Sequence, residues 1–196
     1  MSLESGRRKV GEATALRALA HPLRLKLHAL VGREGPITAA EAARQLGVSQ
    51  ALASHHLRHL AKYGFVEPAD AGDNRERPWR ITATSQQWDP GESTDAWEQV
   101  DLIERFLLER SAAQLADWQQ RRGDEDPRWT ESTGVSQNLV YLTVDEMAEL
   151  SRAWDELITP LVDRRPLGDP RSRPAGAVPV DVTLVAVPVP PTVSGG

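Results

Sequence analysis

The feature that most constrains the fold of this sequence is a pair of short helical patterns joined by a very tight turn. The first pattern begins where Thr38 and Glu41 have the T-x-x-E spacing of a capping box. It ends at Gly47, because glycine can adopt the left-handed conformation that terminates a helix. Only two residues later, Ser49 can cap a second helix that continues to about Tyr63. Two short helices joined so closely must cross steeply.

The second of these helices has two chemically different faces. Ala53, Leu57 and Leu60 recur at i, i+4 and i+7 and form an apolar face toward the first helix. The opposite face has no large apolar residue and can donate hydrogen bonds to base edges or phosphates; it consists of Ala51, His55, Arg58 and Lys62, with Gln50 and Ser54 nearer the N-terminus. The sequence therefore predicts a helix-turn-helix whose second helix is a recognition helix.

A β-hairpin is predicted directly after the recognition helix. A strand over 65–68 is followed by Asp, Gly and Asn turn residues over 70–74 and by an alternating strand over 79–82. Arg75 and Arg77 lie near the hairpin tip, where they can contact phosphate or the minor groove. The hairpin is interpreted as a wing.

Two further helices are predicted before the helix-turn-helix. The first follows an i, i+3 series of apolar residues from Val10 to Leu19 and stops at His21. Pro22 suits the first turn of the second helix, which ends between residues 32 and 36.

Four segments of this region together resemble the ArsR/SmtB-like winged helix-turn-helix regulators: 18–25 (ALAHPLRL), 43–50 (ARQLGVSQ), 54–60 (SHHLRHL) and 64–66 (GFV). The resemblance covers residues 10–83 and implies a dimeric, sequence-specific transcription regulator. The candidate DNA-binding residues are Thr38, Ser49, Gln50, Ala51, Ser54, His55, Arg58, Arg75 and Arg77. Metal-sensing members of the family use cysteine pairs in the third helix or His, Asp and Glu ligands in a C-terminal helix. Metal sensing is not implied here, because the chain has no cysteine and no histidine after His59.

The charge of the chain is unevenly divided. The whole chain carries −5, but residues 1–82 hold 13 Lys and Arg against 8 Asp and Glu, a balance of +5. Residues 83–196 hold 10 against 20, a balance of −10, and all five histidines lie in the basic part. This asymmetry indicates two functions in one chain, of which the basic one suits DNA.

The acidic part is predicted to be a dimerisation module. A polar linker over 84–95 precedes a long helix from about Ser93 to Arg122, whose apolar stripe is too long for a lone winged helix to bury. A dimer seam is the leading interpretation of that stripe. A short strand over 137–142, a helix from Thr143 to Pro160 and an alternating strand over 180–187 complete a small α+β module. The last strand could pair with the first in the same subunit or in the other.

Five of the six tryptophans lie in this acidic part: Trp88, Trp97, Trp118, Trp129 and Trp154. One hypothesis is an aromatic, acidic pocket for an amphipathic or cationic small-molecule effector. The favoured alternative is that these tryptophans fill the core and the dimer interface.

The predicted fold is mainly α with small β (α+β): a winged helix-turn-helix over 10–83 and, over 93–190, a long dimerisation helix with a small α+β C-terminal module. The predicted function is that of a cytoplasmic, homodimeric regulator, a repressor, that binds double-stranded DNA and is controlled by a non-metal ligand. No signal peptide or membrane span is evident, and no catalytic constellation, metal site or cofactor motif can be assembled. The alternative is a protein-interaction module whose winged helix no longer binds DNA.

Overall fold

The structure is a computed structural model that describes residues 7–69, 77–83 and 85–190. Helices dominate these residues, as the sequence predicted. In chain order the elements are β1 (Arg7–Val10), α1 (Ala13–Leu19), α2 (Pro22–Glu34), α3 (Ala39–Leu46), α4 (Gln50–Lys62), β2 (Val66–Pro68), β3 (Trp79–Ile81), β4 (Ser85–Trp88), α5 (Thr94–Arg121), α6 (Pro127–Ser132) and α7 (Val144–Arg164). Two short 3₁₀ turns follow α5 and α7, at Arg122–Asp124 and Pro170–Ser172.

The predicted helix caps of the helix-turn-helix are confirmed. The Thr38 hydroxyl accepts from the Glu41 amide at 3.2 Å, and the Glu41 carboxylate accepts from the Thr38 amide at 2.9 Å. Gly47 ends α3 with a φ of 65°, in the left-handed region. Ser49 caps α4 by accepting from the Leu52 amide at 3.2 Å. Local hydrogen-bonding chemistry therefore sets both helix boundaries at the turn.

One hydrophobic core joins the N-terminal helices to the start of α5. Its largest fully buried side chains come from α1, α2, α4, α5 and the segment after α4: Leu16, Leu19, Leu27, Val31, Leu57, Leu60, Phe65, Val66, Val100 and Ile103. The first half of α5 packs against α1 in the same chain through Ala96, Val100 and Ile103. The apolar surface of α5 is thus partly covered within the subunit, while Trp97, Leu102 and Leu108 on the same helix stay exposed.

The predicted wing is confirmed as an antiparallel pair of β2 and β3. Glu67 lies opposite Arg80 in the register, and their side chains form an ion pair at 2.7 Å. Ile37, just before α3, bridges to Trp79 with N–H to oxygen distances of 3.0 and 2.8 Å. The predicted wing turn over 70–74 lies outside the described residues.

A second, parallel pair joins β1 to β4, which the sequence did not predict. Arg7 pairs with Ser85, and Val10 pairs with Trp88. The prediction of a helix starting at Val10 is therefore wrong, and so is that of a polar linker through residues 85–88. A parallel pairing across about 78 residues leaves no local signal, since neither four-residue strand has a hairpin partner nearby.

The C-terminal part is helical, but its two predicted strands are not formed within the described chain. Residues 137–142 and 180–187 are unpaired, because an alternating apolar pattern makes a strand only where a partner supplies the hydrogen bonds. The prediction that Pro160 ends the last helix is also wrong. The helix continues to Arg164 with Pro160 in its last turns, where few following residues remain to be disturbed.

The segment after α7 returns to the winged helix. A β-carbon placed on Gly32 would lie 3.6 Å from Leu167 Cδ1, and one placed on Gly168 would lie 3.8 Å from Gly35 Cα. The Arg173 guanidinium donates to the Arg33 carbonyl at 2.8 Å. The division of the chain into two domains, 10–83 and 93–190, remains a prediction. Residues of the two segments contact each other.

Candidate nucleic-acid interface

The two faces predicted for α4 are separated in the structure. Ala53, Leu57 and Leu60 are fully buried against the core. The opposite side faces solvent, where Gln50, Ala51, His55, Arg58 and Lys62 are exposed and Ser54 is half-buried. The structure thus presents a polar, cationic helix surface anchored from behind by apolar packing, which is the arrangement required for groove insertion.

The other candidate residues surround this face. Ser49 is exposed at the start of α4, where its side chain caps the helix. Thr38 is half-buried at the start of α3, and its hydroxyl is occupied by the capping box. Arg77 is exposed just before β3, at the base of the wing, whereas Arg75 lies outside the described residues. The described candidates therefore occupy the two helices and the wing, and their contact with DNA remains a prediction.

Histidines form a cluster along the recognition helix. His56 is 9% exposed, its ring centroid lies 4.9 Å from that of His21, and the His55 ring lies 5.3 Å away. Burial is the main cause that lowers the pKa of His21, His56 and His59 below the usual value, and Arg24 lowers each further by charge repulsion. These three rings therefore carry little positive charge at pH 7, in contrast to the arginine and lysine side chains of the same surface.

Arg8 makes a structural contact with the recognition helix that the sequence did not predict. Its guanidinium donates to the carbonyl of Tyr63 at 2.7 Å and to that of Gly64, at the C-terminal end of α4. The same group lies 4.7 Å above the centre of the Phe65 ring. Arg8 thus fixes the end of the recognition helix from β1. The sequence shows that Arg8 belongs to a basic Arg-Arg-Lys run, but it does not show which distant carbonyl accepts from it. Only the tertiary structure reveals this contact.

Arg24 was also missed, although it lies beside the histidines on the first turn of α2. It donates to the Arg17 carbonyl at 3.0 Å, and burial lowers its pKa while it remains charged. Its neighbours are His21, which caps α2, and His56 and His59 on α4, the helix that packs against α2. A second cationic side chain therefore lies next to the recognition helix.

The structure bears on a metal site and on the arrangement of the tryptophans. Within the described ranges, no group of three His, Asp or Glu side chains is placed to hold a metal ion. The five C-terminal tryptophans are spread over β4, both ends of α5, α6 and α7, and none is fully buried. Of the five, Trp88 is the one that packs against the core of the described residues. No described helix has the length and apolar character needed to span a membrane.

Comparison with known proteins identifies the helix-turn-helix. Residues 19–69 match a family model described as a helix-turn-helix domain, which confirms the predicted motif. In this region the chain resembles the ArsR-like winged helix-turn-helix regulators.

Two solved structures show similarity over larger parts of the chain. One is the homodimeric winged helix-turn-helix DNA-binding domain of a possible ArsR-family transcriptional regulator from Mycobacterium bovis; it is 24% identical, covers 52% of this chain and 77% of that chain, and has a TM-score of 0.33. The other is a multiple antibiotic-resistance repressor (MarR) from Listeria monocytogenes; it is 13% identical, covers 76% of this chain and 81% of that chain, and has a TM-score of 0.30. No curated protein matches the chain.

Proposed function

We propose that this winged helix-turn-helix chain is a DNA-binding transcription regulator, not an enzyme, that acts as a homodimeric repressor in the cytoplasm. The observation that carries the proposal is the solvent face of α4, which is polar and cationic while the opposite face is buried in the core. A helix with these two faces can enter a major groove without losing its packing. Residues Gln50, Ser54, His55 and Arg58 would contact bases and phosphates.

The wing supports this orientation. The Arg80–Glu67 ion pair joins the two strands of the hairpin, and the backbone bridge between Ile37 and Trp79 attaches the hairpin to the residues just before α3. Arg77 then extends the cationic surface from the recognition helix toward the flanking backbone of the duplex, and Arg75 is proposed to do the same.

Homodimerisation is proposed from the apolar residues of α5 that its own chain leaves uncovered. Leu102 and Leu108 are each 45% exposed, whereas Val100 and Ile103 on the same helix are buried. Two copies would place two recognition helices in successive major grooves of a near-palindromic site, about 34 Å apart. Sedimentation equilibrium of the full chain tests this part of the proposal, and a monomer at micromolar concentration would refute it.

Control by a non-metal small molecule is a further part of the proposal. The chain has no thiolate for a metal, and an effector would act by shifting the balance between dimer geometries that fit or miss the two grooves. An effector should therefore change DNA affinity without entering the recognition face.

DNA binding is tested first with unmodified protein. Selection of bound sequences from a random DNA pool, followed by gel shift at low and moderate salt, should yield a near-palindrome whose affinity falls as salt rises. Absence of any shift at low salt would refute DNA binding and favour the interpretation of the winged helix as a protein-docking module.

The role of Arg58 is tested by Arg58→Ala. If its guanidinium contacts a phosphate, the variant should bind all sequences more weakly, and the slope of log K against log salt should decrease by about 1. Arg152→Ala, which removes an exposed arginine from α7, is the matched control and should leave the slope unchanged. Equal slopes for Arg58→Ala and wild type would show that Arg58 does not contact a phosphate.

A further inference from the structure

Helix α7 has an apolar seam that the described part of its own chain does not cover. None of the 21 residues of α7 is buried, and Leu150, Leu157 and Leu161 are 42%, 64% and 46% exposed. The apolar positions alternate in steps of three and four: Met147, Leu150, Trp154, Leu157 and Leu161. This strict spacing of 3.5 residues is the pattern of a helix that packs along another helix.

The borders of the seam allow a close approach. The residues beside it are mostly small or uncharged: Ser151, Ala153, Ile158 and Pro160, with Glu146 at one end. At 100° per residue, the other carboxylates of the helix and Arg152 point away from the seam; these carboxylates are Asp145, Glu149, Asp155, Glu156 and Asp163. The acidic character of α7 therefore does not oppose pairing with a second acidic helix.

The ends of the seam are complementary in charge. Glu146 and Arg164 lie on the same side of the helix, 18 positions apart and at opposite ends. The capping hydrogen bonds from Thr143 lower the pKa of Glu146, so this carboxylate is ionised at neutral pH. An antiparallel pair of α7 helices would place each Glu146 beside the Arg164 of the other copy, whereas a parallel pair would place like charges together.

The seam is also symmetric about its centre. Met147 and Leu161 lie seven residues on either side of Trp154, and Leu150 and Leu157 lie four and three residues from it. A two-fold axis near Trp154 would therefore match each apolar residue with an apolar residue of the second copy, as an isologous interface requires. We propose that α7 pairs antiparallel with α7 of a second copy of this chain and forms a dimer contact separate from that of α5.

The absence of native cysteine allows this contact to be tested by single cysteine variants of the full chain. Ala153→Cys lies beside the proposed axis and should give a covalent dimer with a short bis-maleimide. Glu156→Cys, on the opposite side of the same helix, is the control and should remain uncoupled. Equal coupling of the two variants, or no coupling of Ala153→Cys in a dimeric sample, would overturn the proposal.

The helix direction is tested with two more positions. Ser151→Cys and Ile158→Cys should couple when mixed, because an antiparallel axis near Trp154 brings these two positions together, and Ser151→Cys alone should couple poorly. Efficient coupling of Ser151→Cys with itself would indicate parallel helices and refute the arrangement.

A seam variant separates pairing from folding. Leu157→Asp in the Ala153→Cys background should abolish coupling while the circular dichroism spectrum stays unchanged, since Leu157 is largely exposed in the single chain. Retained coupling would count against the seam. DNA binding by the same samples is a separate readout: a coupled protein without DNA affinity would refute the proposed function and leave the α7 contact standing.

Discussion

Arg8→Ala tests whether the N-terminal strand holds the end of the recognition helix. The substitution removes the charged donor from the Tyr63 carbonyl, 2.7 Å away, and the cation above the Phe65 ring. The Gly64 carbonyl loses less, because the Thr82 hydroxyl still donates to it at 2.6 Å. One charged hydrogen bond contributes about 1.5 to 3 kcal/mol and a partly exposed cation–π contact about 0.5 to 1. The free energy of unfolding should therefore fall by about 2 to 3 kcal/mol.

Urea denaturation followed by circular dichroism measures this loss. Arg8→Lys keeps a single charged donor and should lose roughly half as much as Arg8→Ala. Lys9→Ala removes a neighbouring exposed cation of the same strand and should change the unfolding free energy by less than about 0.5 kcal/mol. If Arg8→Ala were as mild as Lys9→Ala, the bonds to the end of α4 would contribute nothing, and the reasoning would be refuted.

Two further predictions concern pH and the turn of the motif. The pKa of His28 falls to about 4, mainly because its side chain is largely buried. Its Nε2 lies 2.9 Å from the Gln86 amide nitrogen. The stabilisation from neutral His28 should be fully present above pH 6.5, and the free energy of unfolding should fall by roughly 2 kcal/mol as the pH falls toward 4.5. Urea titrations at the two pH values should show a smaller fall for His28→Gln. A β-carbon at Gly47 would meet no atom within 4 Å, but alanine there would have to adopt a φ of 65°. Thermal unfolding of Gly47→Ala should therefore show a loss of stability of about 1 kcal/mol, and Gly47→Asn a smaller loss. An unchanged melting temperature for Gly47→Ala would show that the turn tolerates another conformation.

The parts of the fold that follow from neighbouring residues were predictable from sequence. The capping box at Thr38, the left-handed Gly47 and the cap at Ser49 each depend on atoms within a few residues, and each is present in the structure. The two faces of α4 follow from helical periodicity, and the wing follows from a short hairpin. Most residues of the candidate interface can therefore be located from the sequence alone.

The features that escaped prediction depend on distant partners. The parallel strand pair and the Arg8 contact each join residues more than 50 positions apart, and neither leaves a periodic signal. The valine-rich alternation near the C-terminus predicted a strand, yet no strand of the described residues pairs with it. Asp181 instead accepts from the Ser111 hydroxyl at 2.9 Å, so this segment contacts α5 through a side chain and does not join a sheet. The periodicity of apolar residues indicates which side chains are buried, whereas the pairing of a strand depends on which other strands the fold places beside it.

The return of the chain after α7 has a practical consequence for anyone who isolates the DNA-binding part. Leu167 contacts the surface around Gly32, and Arg173 is bonded to the backbone of Arg33, so helix α2 is completed by residues about 135 positions later. Val100 and Ile103 likewise complete the core from beyond the wing. A fragment cut directly after the wing would contain every candidate DNA-contacting side chain but would expose apolar surface that the full chain covers. The shortest segment that contains the candidate DNA-contacting residues is therefore shorter than the segment that completes the core around them.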